Sequence, residues 1–128
     1  MKYLIDVNIA LAALIAGHSE HGRAEKWLGG LAVSDEVLLC PHVELGFVRV
    51  ALLGKYINEM ATAKKVIAGF VPGKARLVFV PDASRAKDLP PWVKKAAAVA
   101  DGHLLNVAEA HGARFATMDE GIPGAWVI

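Results

Sequence analysis

Short runs of hydrophobic residues alternate along the chain with longer segments that have helical periodicity. The first run, from Lys2 to Asn8, is rich in β-branched and aromatic residues and leads directly into an apolar helix rather than a turn. This pattern is typical of the central parallel strand of an α/β fold. Parallel α/β sheets carry their sites at the carboxyl ends of the strands, so Asp6 stands where chemistry is expected.

The same alternation continues to the end of the chain. Further strands are predicted over residues 37–40, 76–80 and 114–118, with a short edge strand over 125–128. Helices are predicted over residues 7–16 with Gly17 as the stop, 19–28 with Ser19 as the N-cap, 42–53, 58–71 with Asn58 as the N-cap, and about 93–111. The polar, proline-bearing segment 82–92 is predicted to be a loop with at most one helical turn.

Strands that alternate with helices predict one parallel sheet of four to five strands with helices on both faces. The 128 residues, 55% hydrophobic and 21% charged, suit a single α/β domain over residues 1–128. The longest apolar run, residues 9–16, is too short to span a membrane, and Asp6 interrupts any signal peptide. The single Cys40 fits a reducing cytoplasm.

Charge is distributed unevenly, although the formal net charge is only +1. Residues 55–95 hold nine of the 14 lysines and arginines but three of the 13 acids, which leaves five basic residues against ten acids elsewhere. A basic middle region beside acidic ends is suited to guiding a phosphate backbone toward a carboxylate pocket. Ordinary solvated helix faces would give the same count.

Four acids are candidates for one shared site. Asp6 and Asp119 each follow an apolar strand, so both lie at the carboxyl edge of the predicted sheet. Glu44 and Asp101 lie on the apolar faces of the helices that follow strands, where a bare carboxylate is costly. Two alternatives stay open: Glu44 can reach solvent in the first helical turn, and Asp101 can be a simple N-cap.

Four carboxylates in one place need a counter-charge, because two like charges about 5 Å apart repel by roughly 3 kcal/mol at an effective dielectric of 20. Oxygen ligands without thiolates predict Mg²⁺ or Mn²⁺, which activate water and stabilise a phosphate under attack. Asn8 and Thr117 are placed to orient a ligand or a water. A zinc site on His18 and His21 is disfavoured, since no cysteine or further histidine lies nearby to complete it.

Four segments, in this order, resemble the PIN-domain ribonucleases and more closely the VapC-type toxins of bacterial and archaeal toxin–antitoxin pairs. They are LIDVN at 4–8, PHVELGFVRV at 41–50, VADGHLLNVAEAHGA at 99–113 and ATMD at 116–119. The resemblance implies a PIN-like three-layer α/β/α fold. It also implies metal ligands at Asp6, Glu44, Asp101 and Asp119, with supporting polar residues at Asn8 and Thr117.

The resemblance further implies Mg²⁺- or Mn²⁺-dependent cleavage of single-stranded or looped RNA by a cytoplasmic homodimer. A small antitoxin whose tail fills the cleft would silence it. We therefore expect the toxin of a toxin–antitoxin pair. Three alternatives remain: a PIN nuclease of RNA processing, an RNA-binding or partner-binding module without turnover, and a haloacid-dehalogenase-like phosphatase, which would want a second acid where Asn8 stands.

Overall fold

Five strands form one parallel sheet in a computed structural model that describes residues 1–128. In chain order the strands are β1 (Lys2–Ile5), β2 (Glu36–Leu39), β3 (Arg76–Phe79), β4 (Arg114–Thr117) and β5 (Trp126–Val127). Their spatial order is β3-β2-β1-β4-β5, so the first strand lies at the centre. Leu4 of β1 stands between Leu38 and Phe115 and is completely buried, which explains why this strand is apolar on both faces.

Five helices connect and cover the strands. They are α1 (Val7–Leu14), α2 (His21–Gly29), α3 (Pro41–Leu53), α4 (Met60–Ala68) and α5 (Val99–Ala110), with 3₁₀ turns at Ala86–Asp88 and Ala96–Ala98. Helix α1 packs against α2, α3 and α4, helix α3 packs against α4, and α5 packs on β1 and β4. The predicted α/β/α architecture with a parallel sheet is therefore confirmed. No helix has the length and apolar character that crossing a membrane requires.

The first two helices differ from the prediction at the turn between them. Helix α1 ends at Leu14, before Gly17, and α2 begins at His21 rather than after Ser19. Two histidines make contacts with the backbone of this turn. Nδ1 of His21 lies 2.7 Å from the Ala12 carbonyl oxygen of the last turn of α1, and Nδ1 of His18 accepts a hydrogen bond from the backbone N–H of Glu20. The His21 side chain therefore joins the start of α2 to the last turn of α1, and the His18 side chain stabilises the turn between them.

Helices α4 and α5 are shorter than predicted. Helix α4 begins at Met60 after Glu59, so the prediction of an Asn58 cap is wrong. It ends at Ala68, and the N–H of the C-cap residue Gly69 bonds to the Lys65 and Val66 carbonyls. Helix α5 begins at Val99 with Ala98 as its N-cap. Asp101 therefore lies inside the first turn of α5, and the interpretation of Asp101 as a simple N-cap is wrong.

Candidate active site

Asp6 joins the central strand to the first helix and to the neighbouring strand. It is the N-cap of α1, and its Oδ1 accepts a hydrogen bond of 2.7 Å from the backbone N–H of Val7. Its Oδ2 accepts a second bond of 2.7 Å from the hydroxyl of Thr117, at the end of β4. The residue is only 9% exposed. Local capping and a cross-strand bond thus fix both carboxylate oxygens at the carboxyl edge of the sheet.

Thr117 is the centre of a small hydrogen-bond network at this edge. While its hydroxyl donates to Asp6, it accepts bonds of 3.1 Å from Nδ2 of Asn8 and from the backbone N–H of Asp119. Oδ1 of Asn8 in turn accepts a bond of 3.3 Å from the N–H of Met118. Thr117 has no exposed surface. The two polar residues predicted to support the site, Asn8 and Thr117, therefore bind each other and orient the ends of β1 and β4.

Asp119 and Asp101 complete the group at this edge. Oδ1 of Asp119 accepts a bond of 2.9 Å from the N–H of Gly121, which shapes the turn after β4. Asp101 is followed by Gly102, where an added Cβ would lie only 2.4 Å from the Val93 side chain. The glycine is therefore needed inside the helix, because it lets the preceding segment pack closely against the turn that carries Asp101.

The three aspartates affect one another electrostatically. Burial is the main cause that raises the pKa of Asp6, and the charge of Asp119 adds to it, whereas the hydrogen bonds from Thr117 and Val7 act against it. Burial likewise raises the pKa of Asp101, with further contributions from the charges of Asp6 and Asp119. None of the three carboxylates forms an ion pair with a lysine or arginine. No lysine or arginine therefore balances their negative charge, and only Asp6 has both hydrogen bonds and a nearby imidazole, His42, that favour its charged form.

Glu44, the fourth predicted acid, lines a cavity next to the aspartates' edge of the fold rather than taking part in their hydrogen bonds. It is half-buried in the first turn of α3 and lines a cavity of about 310 Å³ between α3 and α4, together with Val48, Lys64 and Ile67. It has no hydrogen bond or ion pair to the aspartates, and its charge does not contribute to the raised pKa of Asp6 or Asp101. The structure thus brings together Asp6, Asp101 and Asp119, with Glu44 facing the neighbouring cavity.

The donor set is chemically suited to a hard divalent cation. Carboxylate oxygens are the ligands that Mg²⁺ and Mn²⁺ prefer. The raised pKa values of Asp6 and Asp101 show that their charged forms are disfavoured without a cation. The structure contains no group of three or more histidine, cysteine or acidic side chains already spaced to enclose a metal ion. The fit therefore rests on the chemistry and the uncompensated charge of the aspartates.

Sequence reasoning missed a second polar group beside the aspartates. Asp82, predicted to be a turn residue, accepts a bond of 2.9 Å from the N–H of His42 through Oδ2, and its Oδ1 lies 3.6 Å from Nε2 of His103. The two imidazole rings have their centroids 5.4 Å apart. His42 also lies close enough to Asp6 to lower the pKa of that carboxyl. The available signal was position, since His42 begins a helix after β2 and His103 follows Asp101 by two residues.

Comparisons with known proteins agree with this geometry. A model of the PIN domain family matches residues 3–124. Ribonuclease VapC38 of Mycobacterium tuberculosis is 30% identical over 122 residues, which cover 93% of this chain and 86% of the relative. Ribonuclease VapC29 of the same organism is 29% identical over 123 residues, covering 95% and 89%.

A solved structure is similar along its whole length. The crystal structure of M. tuberculosis VapC20, described as a sarcin–ricin loop cleaving toxin, superimposes with a TM-score of 0.66. It covers 98% of this chain and 96% of that one at 16% sequence identity. At this identity the likeness establishes the shared fold alone.

Proposed function

The chain belongs to the PIN-domain family, and on that premise we propose that it is a metal-dependent endoribonuclease, the toxin of a VapBC-type toxin–antitoxin pair. The observation that carries the proposal is the group of three aspartates at the carboxyl edge of the sheet, none of which forms an ion pair with a lysine or arginine. The family match over residues 3–124 leaves no support for the haloacid-dehalogenase alternative.

We assign the metal to Asp6, Asp101 and Asp119, with Glu44 as an additional ligand or as a residue that positions the attacking water. The metal, Mg²⁺ or Mn²⁺, would activate that water and offset the negative charge on the phosphate under attack. Burial of Asp6 and Asp101 supports the assignment, since a cation relieves the cost of their desolvated charges.

The chain's own residues have distinct tasks in this proposal. Thr117 and Asn8 hold Asp6 and the turn after β4 in position through direct hydrogen bonds. Lysines and arginines of the basic middle region attract the RNA backbone, because phosphates are bound mainly by such side chains. Asp6 has both oxygens bonded before substrate arrives, so it does not have to reorganise during the reaction.

The partners of this proposal are a cognate antitoxin, whose tail fills the cleft at the aspartates, and a second copy of the chain. Helices α3 and α4 leave Leu45, Leu53 and Met60 exposed by 70, 67 and 56% around one cavity of about 520 Å³. Contiguous apolar surface of this kind is typical of protein interfaces. We assign it to the homodimer, since a two-fold interface buries the same patch on both subunits.

The dimer assignment is tested by light scattering after size-exclusion chromatography. Wild-type protein is expected to elute as a dimer and Met60→Glu as a folded monomer, because a buried unpaired charge is costly. If Met60→Glu and Leu53→Glu both remain dimeric, the dimer interface does not lie on α3 and α4.

The nuclease proposal is tested with purified protein and single-stranded RNA. We expect cleavage with Mg²⁺ or Mn²⁺, none after EDTA, and none by Asp6→Asn at any metal concentration that supports the wild type. Growth of cells that express the chain, with and without a co-expressed cognate antitoxin, then distinguishes a toxin from a nuclease of RNA processing. Cleavage that survives both EDTA and Asp6→Asn would contradict the proposal.

A further inference from the structure

A separate cavity of about 430 Å³ lies beside the aspartates. This volume is within the range of roughly 300–1,000 Å³ that is common for small-molecule sites. Its lining comes from the start of α3, the segment that contains the 3₁₀ turn Ala86–Asp88, and the start of α5. Besides three alanines, the lining residues are His42, Ser84, Arg85, Leu89, Val99 and His103.

The walls of this cavity are held by hydrogen bonds from three directions. The carboxylate of Asp82 accepts the N–H of His42 at 2.9 Å, which joins the loop to α3. Asp88 accepts the N–H of Arg85 at 2.9 Å, and Nδ2 of Asn106 in α5 donates to the Asp88 carbonyl at 2.7 Å. The loop is thus bonded to both helices, and the cavity exists before any ligand binds.

The cavity adjoins the proposed catalytic residues. His42 is near enough to Asp6 to affect its ionisation. Ala100, which also lines the cavity, directly precedes Asp101 in the first turn of α5. A chain molecule that lies across the start of α5 can therefore contact both the aspartates and this cavity.

The lining is suited to a flat, polar, aromatic group attached to an anionic chain. Imidazole and guanidinium faces stack on unpaired bases, and the rings of His42 and His103 lie 5.4 Å apart with their planes inclined by 59°. Leu89 and Val99 provide apolar contact surface. The lining itself contains no acidic residue and one arginine, Arg85, while the Asp82 carboxylate contacts the two histidines of the lining.

We propose that this cavity binds one unpaired base of the RNA, next to the phosphodiester that is cleaved, and that His42, Arg85 and His103 determine which RNA sites are selected. The inference deepens the proposed function and rests on it. These three residues act on the substrate's position, and none of them is assigned a proton transfer.

The test uses the intact protein and a single-stranded oligoribonucleotide that contains the site cut by the wild type in total RNA. One abasic nucleotide is moved through the positions around the cleaved bond. We expect the kcat/KM value to fall roughly 5- to 100-fold when the base at one flanking position is removed, as expected for loss of a stacked base, and little at the others.

Variants link this position to the cavity. His103→Ala and Arg85→Ala should weaken binding of the same labelled oligonucleotide, measured by fluorescence anisotropy in EDTA so that no cleavage occurs. His103→Phe should keep most of the affinity because it retains a flat ring. Lys87→Ala removes one charge from the same loop outside the cavity and is the matched control for Arg85→Ala.

The decisive result is the combination of variant and abasic substrate. If the base lies against His103, His103→Ala and the abasic substitution together should cost no more than either alone. Independent, additive losses, or kcat/KM values that are equal for every abasic substrate, would overturn the inference while leaving the nuclease proposal intact. Wild-type protein that cleaves no RNA would overturn the proposed function itself.

Discussion

Acidic residues lie at both the amino and the carboxyl ends of the strands, but their partners differ between the two ends. At the amino end, Oδ1 of Asp35 lies 2.9 Å from the amino group of Met1, and Glu36 forms ion pairs with Lys2 and Arg76. A hydrogen bond from the N–H of Ala32 and the nearby amino group lower the pKa of Asp35. The acids at this end therefore contribute to the fold as paired charges.

At the carboxyl end, Asp6, Asp101 and Asp119 have no lysine or arginine partner, and the pKa values of Asp6 and Asp101 are raised. The sheet thus pairs its acids with cationic groups at the amino end, whereas at the carboxyl end these three aspartates have no lysine or arginine, although Asp82 after β3 lies beside His103. Uncompensated, partly buried charge costs stability, so its presence at the end where α/β folds place their sites indicates function. The predictions below test this contrast.

The largest expected effect separates the two ends by activity. Asp6→Asn should lower kcat/KM for RNA more than about 100-fold, since even residues that only support metal ligands typically cost 10- to 100-fold. Asp35→Asn makes the same chemical change at the opposite end and should leave kcat/KM within about twofold of the wild type. If both variants are folded by circular dichroism and lose kcat/KM to the same extent, the two ends of the sheet do not differ in their role in activity.

A smaller effect is expected at the residue that orients Asp6. Thr117→Val keeps the shape of the side chain but removes the hydroxyl that donates to Asp6 and accepts from Asn8. We expect kcat/KM to fall roughly 10- to 100-fold and the affinity for Mn²⁺ to weaken. Thr117→Ser retains the hydroxyl and is the matched control. If valine and serine variants behave alike, the network does not position the site.

The smallest effect concerns stability in metal-free buffer and has opposite signs at the two ends. Because the folded pKa of Asp101 is raised, its contribution to stability is present at low pH and is lost as the pH rises through that pKa. Asp101→Asn should therefore raise the free energy of unfolding at neutral pH, by less than about 1 kcal/mol after solvent screening. The gain should shrink on acidification.

Asp35 gives the reverse result in the same urea titrations. Its folded pKa is lowered, so its contribution is present at neutral pH and is lost as the pH falls through that lowered value. Asp35→Asn should therefore destabilise the protein at neutral pH and match the wild type in acid. The same sign of change for Asp35→Asn and Asp101→Asn would show that the two ends do not differ electrostatically.

Residues that depend on local pattern were predictable from the sequence. The runs that form β1 and β4 placed Asp6 and Asp119 at one edge, because parallel connections bring the strand ends together. The periodicity of the last helix placed Asp101 on the same face as Leu104 and Leu105, although the predicted helix begins near residue 93 and the observed helix begins at Val99. These predictions needed only periodicity and the handedness of the crossovers.

Features that depend on distant side chains were not predictable. Helix α1 ends at Leu14, and the Ala12 carbonyl of its last turn contacts His21, nine residues away, instead of continuing the helix. The contact of Asp82 with His42 and His103 depends on how an irregular loop packs between two helices. Glu44 lines a cavity whose other wall is formed by α4. The periodicity of α3 alone cannot predict this, because it does not show how α4 packs.

The most direct test of the central claim is a titration of the metal-free protein with Mn²⁺, followed by electron paramagnetic resonance of the unbound ion. We predict saturable binding to the wild type that Mg²⁺ displaces, unchanged binding to Asp35→Asn, and strongly weakened binding to Asp6→Asn and Asp119→Asn. Binding that is the same in the wild type and in both carboxyl-end variants would contradict the account, because the uncompensated aspartates would then not be the metal site.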